Sequence, residues 1–312
     1  MTNISIAMAT YNGAKYLRAQ LDSLYSQTKV PDEIVVCDDC SSDDTIKILE
    51  EFHKNKGLKY LINDTNLGVN KNFEKAIRAC SSDYIAICDQ DDVWFPQKIE
   101  ILLKKIIEVE NNQPCVISSR STELKPGMST NEYKCGSDSD GIYATLLGPS
   151  YLVQGCTLIM NKKMINLLKP FPYSYKEIMM YDGYISFVAA TCGIKYNLAK
   201  VLMAYRRHES NVIGKISDKK NLWHRIVTKI KHLKFDRIFP SSRCNTLKYV
   251  YDEYCDVMHN EAKELIKKII AYGNKGLLYR LNFILTVKYF DLSFKIKNII
   301  TELIMFLIPI KK

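Results

Sequence analysis

A chain of 312 residues holds two modest domains or one domain with a long extension, and 47% apolar with 25% charged residues excludes wholesale disorder. The net charge of +10 is concentrated: residues 215–312 carry 20 Lys or Arg against 9 Asp or Glu, and residues 1–214 are close to neutral. Ten cysteines in a chain of this length, with no CxxC or Cys/His cluster at zinc spacing, exclude a small disulfide scaffold and read as reduced, cytosolic thiols.

The first residues, Met1-Thr2-Asn3-Ile4-Ser5, lack a signal-peptide pattern, and no uncharged apolar run of about 18 residues predicts a spanning helix. Strand-like and helix-like segments then alternate. Residues 4–9 read as a buried strand, 14–27 as a helix, 33–37 as a strand, and 43–54 as a helix whose start Ser41, Ser42 and Asp43 are placed to cap. A strand over 58–62, a helix over 70–80, a strand over 84–88, a helix from Pro96 to 109 and a strand over 115–119 follow. Residues 120–150 read as irregular loop. Order resumes at 151–160, with helices around 162–168 and 181–192 and one or two strands over 195–205. Short buried strands alternating with helices imply right-handed crossovers and an α/β fold with a mostly parallel sheet. Ligands bind at the carboxyl ends of such strands. Thr10-Tyr11-Asn12, Asp38-Asp39 and Asp89-Gln90-Asp91-Asp92 all fall there.

The last of these is the most telling. Three carboxylates at the end of an apolar strand repel one another and are costly to leave unpaired. A hard divalent cation, Mg²⁺ or Mn²⁺, is the usual reason to tolerate them, and Mg²⁺ is commonly shared between carboxylates and substrate phosphates. The competing explanation is a solvated acidic turn. Asp92 either crowds the cation or caps the helix that follows.

Six motifs in order carry a family resemblance. They are Ala9-Thr10-Tyr11-Asn12-Gly13, then Val36-Cys37-Asp38-Asp39-Cys40-Ser41-Ser42-Asp43-Asp44-Thr45, Asn66-Leu67-Gly68 with Asn72-Phe73, and Asp89-Gln90-Asp91-Asp92-Val93-Trp94. Gly155-Cys156-Thr157 with Tyr181-Asp182-Gly183, and Tyr205-Arg206-Arg207-His208-Glu209-Ser210-Asn211, complete the set. On these residues the chain resembles an inverting glycosyltransferase of family 2, rhamnosyltransferase-like branch, over about residues 3–214. The resemblance implies a GT-A fold: a nucleotide-binding sheet flanked by helices, with residues 1–214 catalytic and 215–312 a basic helical extension.

The resemblance also implies roles. Asp91 is the metal holder and Asp89 lies near the ribose or metal. Asp39 accepts from the pyrimidine ring, Thr10 and Tyr11 line the base, and Asn66, Gly68 and Lys71 serve the nucleotide, Lys71 as a diphosphate contact. Cys40 stands where glycine is usual, which predicts a different local backbone. Asp182 is the catalytic base, although Asp also caps helices readily. One carboxylate suffices for inverting transfer, because the leaving diphosphate is stabilised by cations rather than by a second acid. Tyr181 replaces the branch's usual histidine, and Gly183 its aromatic. Arg206 and His208 face the diphosphate or substrate, where guanidinium and imidazole suit phosphate oxygens.

The expected donor is a dTDP- or UDP-linked sugar, with rhamnose favoured, and the acceptor is a glycan or lipid-linked hydroxyl. Alternatives are a UDP-hexose transferase and a catalytically silent, nucleotide-sugar-binding subunit of a glycan assembly complex. The basic extension, with aromatics among its lysines, fits an anionic membrane surface on the cytoplasmic side. No nucleic-acid module is present.

Overall fold

The computed structural model describes residues 2–140, 145–147, 154–172, 179–209, 241–274 and 277–286. Its chain order begins β1 (Ile4–Thr10), α1 (Ala14–Tyr25), β2 (Glu33–Asp38), α2 (Thr45–Lys56), β3 (Lys59–Ile62), α3 (Val69–Ala79) and β4 (Tyr84–Cys88). It continues with β5 (Val93–Trp94), α4 (Lys98–Val109), β6 (Cys115–Glu123), β7 (Tyr133–Lys134) and β8 (Ser139–Asp140). A turn of 3-10 helix (Gly155–Thr157) then leads into β9 (Leu158–Asn161), α5 (Lys162–Leu167), α6 (Tyr181–Cys192) and β10 (Ile194–Tyr205). Three helices follow: α7 (Ser241–Tyr254), α8 (Asn260–Asn274) and α9 (Leu277–Thr286).

Among the described residues the strands form one sheet in the order β3-β2-β1-β4-β9-β6-β10-β5, with β7 and β8 also paired to β10. The run β3-β2-β1-β4 is parallel, as the alternation of short apolar strands and helices predicts. β9 enters antiparallel between β4 and β6, and β6 and β10 are parallel. The predicted loop over 120–150 contains the far half of β6 and the short strands β7 and β8; residues 141–144 and 148–153 lie outside the described set.

Strands β1, β2 and β4 are buried on both faces, which is why their sequences read as near-continuous apolar runs. Helix α1 lays Leu17, Leu21 and Leu24 onto the sheet at i, i+4, i+7 spacing, each burial contributing about 1.5–3 kcal/mol. Its end also anchors the segment after the acidic loop. Gln27 donates to the Phe95 carbonyl at 2.9 Å and accepts from the Ile99 N–H at 3.1 Å.

The loops after β1 and β2 are tied to each other, and Asp43 serves the starts of both α1 and α2. Ser41 donates from its hydroxyl to Asp38 at 2.6 Å and accepts the Asn12 N–H at 2.8 Å; the Ser42 N–H donates to Asn12 Oδ1 at 2.8 Å. Asp43 accepts the Ala14 N–H at 3.0 Å, joining the start of α1 to the start of α2. The expected caps of α2 hold for Asp43, whose Oδ1 accepts the N–H of Thr45, the first residue of α2, at 3.0 Å, and are corrected for Ser41 and Ser42; the flanking residue Asp44 makes no capping bond. Cys40 has a φ of 64°, the left-handed conformation that favours glycine, held at some steric cost and fastened by a bond from the thiol to the Asn63 carbonyl.

The chain divides into two compact units, Met1–Tyr175 with Met180–Asn211, and Lys176–Met179 with Val212–Lys312. Helices α7, α8 and α9 belong to the second. Lys219, Lys220, Trp223, Lys229, Lys231, Lys234, Phe235, Tyr289, Phe290, Phe294 and the apolar stretch 299–310, read above as basic amphipathic helix, lie outside the described residues. No described helix is long and apolar enough to cross a membrane.

Candidate active site

The acidic loop between β4 and β5 meets the end of β10. Arg206 donates its backbone N–H to Asp92 Oδ1 at 3.0 Å and its Nε–H to the Asp91 carbonyl at 2.8 Å. His208 Nε2 lies 2.8 Å from Asp91 Oδ2, both side chains largely buried. The Arg206 guanidinium stands 4.7 Å over the ring of Tyr16, and the His208 ring centroid lies 4.8 Å from the same ring. Tyr16 is thus the platform on which both side chains rest. The sequence reading missed it, since an aromatic in the first turn of a helix has no signal of its own. Asn211 of the same motif lies outside the described residues.

Asp92 is fully buried, and it neither caps α4, whose flanking residue is Gln97, nor shares the position of Asp91. It anchors the chain that carries Arg206 and His208. Asp89, Asp92 and Cys156 bring one ligand atom each within 4.8 Å of one another. Burial first, then the neighbouring carboxylates Asp92, Asp91 and Asp182, holds Asp89 well above the usual carboxylate range; burial and Asp91 push Asp92 up to about 7. Lys98 supplies a countercharge. It is fully buried, with Nζ bonded to the Cys156 carbonyl and 3.6 Å over the Trp94 ring. Burial lowers it to about 8 against the pull of Cys156, Cys88, Asp92 and Asp89. The chain therefore provides its own cation beside that trio. The donor set that fits a divalent metal is Asp91 with His208, a carboxylate oxygen facing an imidazole nitrogen.

Asp182 occupies the first turn of α6. Its flanking residue is Met180, so Asp182 is not the cap. Oδ1 accepts the Gly183 N–H at 2.7 Å and Oδ2 accepts the Gly155 N–H at 3.2 Å, leaving a lone pair on each oxygen. Burial raises its pKa to about 6, against the downward pull of the Gly183, Gly155 and Asp182 backbone N–H groups. Gly155 has no alternative: a Cβ there would lie 1.9 Å from the Tyr181 hydroxyl.

The other sequence-predicted residues sit around β1 and β2. Thr10 turns inward, donating to Asp38 Oδ2 at 2.8 Å, and is 2% exposed. Tyr11 is 51% exposed and exchanges two backbone bonds with the Gln90 side-chain amide, at 2.9 and 3.1 Å. That amide packs where a Cβ on Gly13 would stand, 2.1 Å from Gln90 Oε1, which explains the glycine of the first motif. Asp39 is buried, and its carboxylate accepts from Asn63 Nδ2 (2.8 Å), Leu67 N–H (2.7 Å) and Gly68 N–H (2.9 Å). One acceptor position on Oδ2 remains. Asn66 donates to the Asp39 carbonyl at 3.2 Å. Lys71 Nζ is 2.8 Å from Glu74 on its own helix. Asp91, Arg206 and His208 are joined by direct contacts, Asp89 feels the charges of Asp91 and Asp182, and Thr10, Asp39, Asn66 and Gly68 form a hydrogen-bonded loop cluster.

A family model described as Glycosyl transferase family 2 matches residues 5–165. The dTDP-rhamnosyl transferase RfbG of Shigella flexneri is 30% identical over 259 residues, covering 76% of this chain and 87% of that protein. Chondroitin synthase of Escherichia coli is 27% identical over 183 residues, 58% of this chain and 26% of that much longer protein. Among solved structures, S. aureus TarS 1-349 in complex with UDP matches with a TM-score of 0.59 at 18% identity, over 92% of this chain and 76% of that one, a likeness of fold.

Proposed function

The chain belongs to glycosyltransferase family 2 and has the GT-A fold, and from that premise we propose that it is a metal-dependent, inverting transferase moving rhamnose from a dTDP-linked donor to a hydroxyl of a cell-surface glycan or lipid-linked acceptor. The observation that carries the reading is Asp182, a single carboxylate in the first turn of α6 fixed by the Gly155 and Gly183 N–H groups, with burial raising it to about 6. Its ionised form takes the proton of the acceptor hydroxyl as the oxygen attacks the anomeric carbon, and the bond from that carbon to the diphosphate breaks on the opposite face. Asp91 and His208 would hold Mg²⁺ or Mn²⁺, which supplies Lewis-acid stabilisation to the leaving diphosphate. Arg206, fixed over Tyr16 and to the Asp91 carbonyl, presents its guanidinium to the same oxygens. Asp39 keeps one acceptor position for a ring N–H of the base. Rhamnose as the sugar rests on the relationship to RfbG.

Thermal unfolding with Mn²⁺ and a panel of dTDP- and UDP-sugars tests the donor. The largest upward shift is expected with dTDP-rhamnose. A larger shift with a UDP-hexose would replace the sugar, and no shift with any nucleoside diphosphate would remove the whole reading.

The second unit extends the proposal to location. Residues 215–312 are strongly basic, and α9 exposes Leu278 and Leu285, seven residues apart on one helix face. This composition suits an anionic leaflet, where each Lys or Arg near the surface contributes about 1 kcal/mol. The full chain should sediment with phosphatidylglycerol vesicles at low salt and not with phosphatidylcholine vesicles; equal recovery from both would overturn membrane docking.

A further inference from the structure

Helix α3 begins at the nucleotide side of the site, yet it also reaches the base. Gly68, which flanks its first turn, donates to Asp39, and Asn72 donates to the Cys37 carbonyl at 2.9 Å and accepts from Asn63, itself bonded to Asp39. Asn70 and Phe73 project elsewhere. Asn70 is 3% exposed; its Oδ1 accepts the Tyr181 N–H at 2.9 Å and its Nδ2 donates to the Pro172 carbonyl at 3.0 Å. Phe73 stacks on the Tyr181 ring with centroids 4.1 Å apart and planes 27° apart. The far edge of that ring lies against Gly155, in the space a Cβ would fill.

Tyr181 is the residue before Asp182, and Gly155 donates to Asp182 Oδ2. We infer that Asn70 and Phe73 are positioning residues for the reaction: together they clamp Tyr181 by backbone and ring, and so fix the Asp182 carboxylate and the Gly155 N–H that orients it. The pair is one helical turn apart on a single face, so one rigid element sets both. A base must sit within hydrogen-bond reach of the proton it removes, and an error of about 1 Å costs on the order of a hundredfold. The Asn72-Phe73 motif thus divides its work, Asn72 serving the nucleotide side and Phe73 the base. In place of an imidazole the chain has a phenol whose ring is a packing surface, a role that α3 can complete only with an aromatic at position 73.

The inference rests on Asp182 as the base, so Asp182→Asn is measured beside the clamp variants. The probe is dTDP-rhamnose with Mn²⁺ and water as acceptor, read as dTDP release, together with dTDP affinity by calorimetry. Asn70→Ala should lower kcat about ten- to a hundredfold, with donor KM and dTDP affinity within about twofold. Phe73→Leu, which keeps α3 apolar, should show the same split at about three- to tenfold. It decides alone if Asn70→Ala does not fold. Unchanged kcat, or dTDP affinity falling in step with kcat, overturns the clamp while Asp182→Asn stays inactive. Retained turnover in Asp182→Asn overturns the base and the clamp with it.

Discussion

Asp182→Asn will lower the turnover number for sugar transfer by about 10²–10⁴, the range a positioned general base contributes, with dTDP affinity unchanged. In the parent protein kcat/KM should rise with pH through an apparent pKa near 6, because burial holds the carboxyl at about 6 and only the ionised form accepts a proton. The same residue carries a stability cost. Its folded pKa lies above the ordinary value, so the native state binds the proton more tightly than the unfolded chain. Stability attributable to Asp182 is therefore present below the unfolded pKa and falls as pH rises toward 6. Above that, the buried charge is a standing penalty. Asp182→Asn should accordingly be more stable at neutral pH by about 1–2 kcal/mol, and melt at a higher temperature. The full linkage is not recovered, because an amide has one acceptor oxygen for the Gly155 and Gly183 N–H groups. An inactive but more stable variant is the signature of a group kept for chemistry. Full turnover in Asp182→Asn, or a pH profile without a rising limb, would falsify the base assignment.

Much of the fold was legible because the strands that build the nucleotide side are buried on both faces. Residues 84–88 and 181–192 are a strand and a helix as predicted, since an apolar run bounded by charged or turn residues leaves little choice. The sequence is weaker where the hydrogen-bond partner is distant. Ser41 has the chemistry of a helix cap, but its partners are Asn12 and Asp38; Asp43 does bond Thr45 at the start of α2, and its second partner, Ala14, is one that only the sheet brings near. Asp92 looked like a cap or a rival ligand for the same reason; its partner is the backbone of Arg206, 114 positions away. Lys71 has the right charge at the right helix end, and Glu74, one turn on, pairs with it at 2.8 Å, a partner that the motif does not announce. Lys98 and Tyr16 were invisible, since a buried lysine and a platform aromatic are ordinary residues until their neighbours are known. The site motifs name the acidic and basic groups that the fold gathers around the β4–β5 loop. The groups that aim them are dispersed across α1, α3 and α4.

Asp91→Asn and His208→Ala will each weaken Mn²⁺ binding in the presence of dTDP at least about tenfold, and Asp91→Asn will lower transfer on the order of a hundredfold. The acidic loop offers two candidate centres, and electrostatics separates them. Asp89, Asp92 and Cys156 converge, and Asp92 gives only Oδ1 to the Arg206 N–H while Oδ2 is buried without a hydrogen-bond partner, but Lys98 lies buried beside the trio and the Cys156 thiol is driven far from ionisation by burial. A second cation there would oppose the lysine in a medium that screens poorly. Asp91 instead faces His208 across 2.8 Å, an arrangement in which both can turn their ligand atoms to one ion. Asp92→Asn should therefore change Mn²⁺ affinity by only a few-fold, since the amide oxygen still accepts from Arg206. Calorimetric titration of Mn²⁺ into each variant at saturating dTDP measures the contrast. If Asp92→Asn loses the metal while Asp91→Asn keeps it, the trio is the metal centre, and Lys98 must then be neutral for the ion to enter.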